Sequence, residues 1–348
     1  MMIRRHDSVS WRYRHKQGKY RHMTRPLPIE IGIVIFPGVQ LAAVHGLIDL
    51  FAVADRFAAQ HYKEAGVFLQ VSQWQVEGHS GAPVRVGEKA REAGGSPTVL
   101  LMPPRLGTQV SSQEAAPFVD WLLGHHRAGT TLCSVCGGAF LLAETGLLAG
   151  RSVTTHWDHA DLFRQRFPDA HLDIDRLVID DGDIISAGGL MAWIDLGLKL
   201  VDRFLGPVIM AETAHYLLVD PPGREQRYYS AFSPNLTHGD APVLKVQHWL
   251  QATGAKDTAL ASLVLRSGLE ERTFLRRFRK ATGFTAIDYC QRLRVGRARE
   301  MLQFSTLPIE AIAWEVGYSD PGAFRKIFVR VTGLTPGEYR QRFSVNRA

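Results

Sequence analysis

A repeat constrains this chain more than any other feature. Shifting Phe274, Phe278, Thr282, Gly283, Thr285, Tyr289, Gln291 and Arg292 by 50 positions lands on Phe324, Phe328, Thr332, Gly333, Thr335, Tyr339, Gln341 and Arg342, the same residue each time. Eight identities within a window of nineteen positions mark a duplicated structural unit.

The later copy shows what the unit is. Ile309, Ile312, Ala313 and Val316 recur at helical spacing, Gly317 closes that helix, and Asp320-Pro321 supplies a cap followed by a first-turn proline. A second helix from Pro321 then buries Phe324, Ile327, Phe328 and Val331, keeps Arg325, Lys326 and Arg330 on other faces, and stops at Gly333. Thr335-Pro336-Gly337-Glu338 opens a third helix with a capping box. In the earlier copy Ala259, Leu260, Leu263 and Val264 supply the first helix and Glu271 to Lys280 the second. A helix from Ala286 to Leu302, carrying Arg292, Arg294, Arg297 and Arg299, joins the copies. Two short helices about a tight glycine turn, the second one basic, make a helix-turn-helix.

The stretch IAWEVGYSDPGAFRKIFVRVTGLTPGEYR, within its tandem setting, resembles the DNA-binding domain of AraC/XylS-type bacterial transcription regulators over residues 242–348. It departs from that pattern at Glu270, where the family has a short polar cap. The resemblance implies double-stranded promoter DNA as partner, with RNA polymerase as a second, and a homodimer. Each second helix is expected to enter the major groove, the pair about one duplex turn apart, roughly 34 Å. The first copy presents Glu271, Arg272, Thr273, Arg276, Arg277 and Arg279, so it carries chemistry for reading bases, notably arginine on guanine. The second opens Pro321-Gly322-Ala323, with little to reach a base edge. Sequence discrimination is therefore expected from the first copy, and phosphate contacts from Arg325, Lys326 and Arg330.

Charge supports a polyanionic partner reached by one end. Residues 241–348 hold 18 Lys and Arg against 9 Asp and Glu, whereas residues 26–240 hold 15 against 24. The opening 25 residues are basic, with 8 against 1, and lack the apolar core of a signal peptide. They read as a disordered tail, or as an untranslated stretch if synthesis starts at Met23. Three cysteines cannot make a disulfide framework and no apolar run is long enough to span a membrane, so a reduced, cytoplasmic protein is expected.

From Ile29 the pattern alternates between strand and helix. Strands are expected at 29–36, 67–76, 98–102, 130–135, 177–179 and 184–186, with helices at 41–59, 114–126, 138–147, 156–167 and 190–205. That order predicts a doubly wound α/β domain of flavodoxin-like type over residues 26–218, its sheet mostly parallel and covered on both faces. An all-α domain with two helix-turn-helix units follows, and the Pro- and Gly-rich residues 219–241 between them read as a linker. A helix-like stretch from Val208 to Leu218 is a candidate dimer surface.

Sites in such sheets lie at the carboxyl ends of strands, which directs attention to Cys136 and Gly137 in TTLCSVCGGAFLLAETGLLAG. Cys136 falls between a strand and a helix in a small-residue turn, where backbone N–H groups favour a thiolate or a bound anion. His156 opens another helix nearby. These motifs, with DDGDIISAGGLMAWIDLGL, are similar to the DJ-1/PfpI group of the class I glutamine-amidotransferase-like fold, and more closely to the version fused ahead of AraC-type domains. Enzymatic relatives carry an acidic residue on the loop after the first strand, where this chain has Ala43, and hydrolytic members have His directly after the cysteine, where it has Gly137. The resemblance therefore implies a sensor of a small, nitrogen-containing metabolite at Cys136, Gly137 and His156, with no catalytic residue and no cofactor. A cysteine-dependent hydrolase or amidase with DNA binding as its control is the alternative.

Other candidates carry plainer readings. Cys133 and Cys136 form a CxxC, but Cys133 is expected inside a buried strand; His125-His126 reads as a helix-end pair of cations; Asp180, Asp181 and Asp183 read as a strand-joining turn rather than a metal site. The whole reads as a ligand-responsive transcription regulator, with activation as the expected output.

Overall fold

The computed structural model describes residues 28–62, 67–77, 81–86, 96–230 and 232–345; the basic tail lies outside them. The amino-terminal part runs β1 (Ile29–Ile35), α1 (Leu41–Tyr62), β2 (Leu69–Val76), β3 (Pro83–Val86), β4 (Val99–Met102), α2 (Ser112–Arg127), β5 (Thr131–Val135) and α3 (Gly138–Ala143). It continues with β6 (Ser152–Val153), α4 (Ala160–Arg166), β7 (His171–Leu172), β8 (Val178–Asp180), β9 (Ile184–Ala187), α5 (Trp193–Leu205) and α6 (Pro207–Tyr216). Among the described residues seven strands form one sheet in the order β3-β2-β1-β4-β5-β9-β8. Its centre is parallel, with Ile31 opposite Val71 and Val99, and Cys133 opposite Leu101 and Ile185.

Side-chain alternation explains why both faces are covered. Val99 and Leu101 of β4 point into a core shared with α1, α5 and α6, while Leu100 and Met102 point into a second core with α2, α3 and α4. The mostly parallel α/β architecture is the expected one. Local features differ, among them the unexpected parallel pair β6 and β7. β3 has no counterpart in the sequence reading; it is a short antiparallel edge on β2, closed by Arg85 pairing with Glu30 at 2.5 Å. The helix expected over 138–147 stops at Ala143 and gives way to turns, with Gly146 and Gly150 at φ 75° and 72°. The helix expected over 156–167 is a 3-10 turn at Trp157–His159 followed by α4. The Asp180–Asp183 segment is the antiparallel β8–β9 turn, as expected, with Arg151 bonded to Asp183 at 2.6 Å.

The carboxyl-terminal part is helical: α7 (Ala241–Thr253), α8 (Leu260–Ser267), α9 (Glu271–Thr282), α10 (Ala286–Phe304), α11 (Ile309–Glu315), α12 (Pro321–Thr332) and α13 (Pro336–Phe343). The repeat persists at the level of single hydrogen bonds. Thr282 and Thr332 each donate back to the carbonyl four residues earlier, at 2.7 and 2.8 Å, and each hydroxyl accepts from the backbone N two residues on, at 3.2 Å. Thr285 and Thr335 share φ −67° and ψ 155° as helix caps, and Gly283 and Gly333 sit at φ 77° and 79°. Asp320 caps α12 through Gly322 N and Ala323 N, whereas Glu270 makes no side-chain cap on α9, as its identity suggested. Each copy has its own core: Phe274, Phe278 and Tyr289 in one, Phe324, Phe328 and Tyr339 in the other. No helix among the described residues is long and apolar enough to cross a membrane.

Phe328 is fully buried, and its ring meets Tyr339 edge-on at 5.5 Å. Phe328→Ala is expected to cost about 3–5 kcal/mol of stability, read by denaturant unfolding of the helical part.

Candidate functional site

Cys136 ends β5 at a turn that the backbone itself makes narrow. Its φ is 51°, a left-handed conformation rare outside glycine, and its N–H donates to Ala187 O at 2.8 Å. A Cβ at Gly137 would lie 2.5 Å from the movable end of Gln109, whereas at Gly138 it would run into backbone, 2.7 Å from Pro103 O, so glycine is required at 138. The elbow is thus clamped between β9 and the loop that follows β4. The turn offers backbone N–H groups, yet burial pushes the Cys136 thiol up to about 11, outweighing the opposing backbone hydrogen bond from Gly137 and working against the thiolate the turn was expected to favour. α3 is too short and too enclosed to reverse that. Cys133 is fully buried in β5, and burial raises its thiol further, as expected of a strand residue.

His156 reaches the same end of the sheet. Its neighbour Thr155 is buried and donates its hydroxyl to Cys136 O at 2.7 Å. His156 Nδ1 accepts from Asp158 N at 3.1 Å, and burial, then His159, depresses its pKa. The His159 ring lies 5.4 Å from it, its pKa also lowered by burial. Among the described residues no hydrogen bond joins the Cys136 thiol to either histidine. Ala43, in the place of the missing acid, is buried in α1.

Two polar residues at the elbow escaped the sequence reading. Gln109 Nε2 lies 2.9 Å from His159 Nε2, and its Oε1 is buried with no partner; whichever way the amide is turned, one end is left unpaired against Gly137. Gln40, buried on the loop after β1, likewise leaves Oε1 unpaired. A buried amide without its partner is costly, and a bound polar ligand relieves it. Neither residue belongs to a motif; only the fold brings loops 36–40 and 103–111 to the elbow. Arg105, between them, is held by Glu114 at 2.8 Å, which lowers that carboxyl to about 2.

The basic helices differ in how their cations are engaged. On α9, Arg272, Arg276 and Arg279 carry no hydrogen bond or ion pair among the described residues, while Arg277 is forked onto Asp240 with both bonds at 2.9 Å. Thr273 occupies the opening turn of α9. On α12, Arg325 pairs with Glu310, and Arg330 bonds Gln291 and, at 3.4 Å, Asp288. Lys326 has no such partner among the described residues.

Comparison with known proteins gives a consistent result for both parts. Residues 263–342 match the model of a helix-turn-helix domain, and residues 39–203 that of the DJ-1/PfpI family. The chain is 30% identical over 219 residues to the HTH-type transcriptional regulator GlxA of Rhizobium meliloti, spanning 62% of this chain and 67% of that one. It is 24% identical over 317 residues to the HTH-type transcriptional regulator CdhR of Pseudomonas aeruginosa, spanning 88% of this chain and 90% of that one. A crystal structure of an AraC family transcriptional regulator from Pseudomonas putida aligns with a TM-score of 0.43 at 18% identity, covering 55% of this chain and 100% of that one.

If burial governs the thiol, alkylation of Cys136 by iodoacetamide stays slow near neutral pH and rises only as the pH approaches about 11. Peptide mass spectrometry resolves it from Cys133 and Cys290; rapid labelling at neutral pH would overturn this.

Proposed function

We propose, from the premise that this chain belongs to the AraC/XylS-type helix-turn-helix transcriptional regulators carrying a DJ-1/PfpI-like amino-terminal domain, a division of labour among its DNA-contacting residues and an effector site at its elbow. The chain is a sequence-specific DNA-binding regulator with an accessory small-molecule-sensing domain. The sensor is assigned to residues 26–218, the linker to 219–241 and the DNA-binding domain to 242–348.

Base reading is assigned to α9, through Arg272, Thr273 and Arg276, with Arg279 and Arg277 at its flank. What supports this assignment is that three α9 arginines lack side-chain partners among the described residues, whereas both α12 arginines are already bonded within the protein. A guanidinium engaged by a carboxylate must give up that bond to reach a base or phosphate. Lys326 is then the main phosphate contact of the second unit, with Arg325 and Arg330 joining it if their partners yield.

The effector is assigned to the pocket region of Cys136, Gly137 and His156, extended by Gln109. Burial raises the Cys136 thiol and lowers the His156 pKa, and buried atoms of Gln109, Gln40 and Arg105 are unpaired among the described residues, which suits a small polar metabolite better than a nucleophilic reaction. Homodimerisation is assigned to α6, where Val208 and Tyr216 are 52% and 57% exposed beside Leu218 at 89%. Activation through RNA polymerase is the proposed output, and the cytoplasm the proposed compartment, in keeping with three unpaired cysteines.

The test is binding of the full chain to the promoter beside its own gene, at two salt concentrations, with and without a panel of small nitrogenous metabolites. Arg272→Ala and Arg276→Ala are expected to relax base preference roughly tenfold or more. Lys326→Ala is expected to weaken binding to all sequences alike and to flatten the salt dependence by about one unit of slope. Equal loss of preference in all three would overturn the division. Modulation by a compound that Gln109→Ala abolishes, with DNA binding intact, would support the pocket.

A further inference from the structure

The segment between the two parts reads as a polar tether, yet its middle is buried on both sides. Gln226 is 2% exposed, and both ends of its amide are engaged. Its Oε1 accepts from Trp157 N at 3.1 Å and Gly189 N at 3.3 Å. Its Nε2 donates to Ile174 O at 2.9 Å, Thr155 O at 3.0 Å and Thr154 Oγ1 at 3.3 Å. Gly188 makes room for it, since a Cβ there would lie 2.5 Å from Gln226 Nε2. Arg224 forks onto Asp195, whose side chain is 3% exposed, and Arg227 N donates to Asp175 O at 3.1 Å. Up to Arg227, then, the backbone belongs to the sensor.

From Tyr228 onward it belongs to the helical part. Arg299 of α10 donates to Tyr228 O at 3.1 Å and to Ser230 O, while its Nε donates to Tyr339 OH at 2.8 Å. Arg342 donates to Tyr229 OH at 2.9 Å, and the Phe232 ring meets Tyr289 edge-on at 5.2 Å. The changeover takes one peptide unit. It falls on the second helix-turn-helix, at the end of α12: a Cβ at Gly333 would lie 2.5 Å from Arg227 Nε and 2.8 Å from Tyr228 Cε1, whereas among the described residues nothing lies within 4 Å of one at the equivalent Gly283. The duplicated tyrosines diverge in the same sense. Tyr289 OH is bonded by Gln247 of α7, but Tyr339 OH is bonded by the arginine that grips the linker.

We propose that Gln226 is a latch that couples the elbow to the second DNA-binding unit. Its partners are four backbone groups and the Thr154 hydroxyl, on the loops at 154–157, 174 and 189, and Thr155 is also the residue that bonds Cys136 O. The buried amide keeps those bonds only while these loops hold this arrangement; otherwise it must leave the pocket, because an unpaired buried amide is costly. With no slack between Gln226 and Tyr228, leaving releases the grip on α12. Docked, the linker holds the second unit preorganised beside the first, so promoter binding avoids that ordering cost. The inference deepens the effector reading above, because a ligand at the elbow controls DNA binding through this latch only if it favours one loop arrangement.

The test uses the full chain and variants Gln226→Ala and, from the other side of the linker, Arg299→Lys, which keeps the helix but loses the fork onto two carbonyls. Trypsin cleavage after Arg224 and Arg227 is expected to speed up in Gln226→Ala. Promoter affinity is expected to fall about fivefold or more in both variants, with the double variant no worse than the weaker single one. Cleavage unchanged, or affinity within twofold of wild type or higher despite faster cleavage, overturns the latch. The same metabolite panel separates the two readings. If Gln226→Ala weakens promoter binding while no compound alters the wild type, the latch stands and the elbow effector falls. If a compound modulates wild type and Gln226→Ala equally, the latch falls and the effector site stands.

Discussion

One helix is shared by two cores, and the carboxyl-terminal half depends on that sharing. The amino-terminal end of α10 gives Ala286, Tyr289 and Cys290 to the first core, and its later turns give Val295, Ala298 and Leu302 to the second. Its 19 residues make a rod about 28 Å long. Both basic helices, α9 and α12, pack against it. Each unit keeps its own buried aromatic cluster against this rod. The same rod carries Arg299, so the element that sets the DNA-binding geometry also grips the linker.

The sensor half shows burial working against reactivity. The turn that presents Cys136 is narrow because glycines at 137 and 138 let neighbouring loops close over it, and that closure removes the water a thiolate needs. The same desolvation lowers the pKa of both histidines. What is left at the carboxyl end of the sheet is a set of donors and acceptors, with buried atoms of Gln40, Arg105 and Gln109 unpaired among the described residues, and no base bonded to the thiol.

Between the halves, polar side chains do the joining. Arg224 bonds Asp195, Gln226 bonds groups of the sensor loops and Arg299 bonds the Tyr228 and Ser230 carbonyls, while Tyr229 and Phe232 add ring contacts to the helical part. Such a junction is specific when every bond is made and weak when a few are lost. That combination suits a part that must hold one geometry and also release it.

The sequence by itself determined whatever rests on local energies. Helix caps at Asp320, Thr285 and Thr335, the left-handed glycines at 283 and 333, and the helical spacing of paired phenylalanines act over three to five residues, so the duplicated units could be read off the chain to the hydrogen bond. The alternation of strand and helix likewise fixed a mostly parallel, doubly covered sheet. Tertiary structure decided the rest. Short β3 has only an edge to pair with; Gln109 meets the elbow across 28 positions of chain and Gln226 meets Thr155 across 71; Arg277 is withdrawn onto Asp240, 37 residues away. A lone polar residue carries no periodicity and no cap signature, so its role stays invisible until folding brings its partner within 3 Å or so. The thiol of Cys136 makes the same point: its place at a strand-to-helix turn was legible, but the burial that silences it belongs to loops that only the fold assembles.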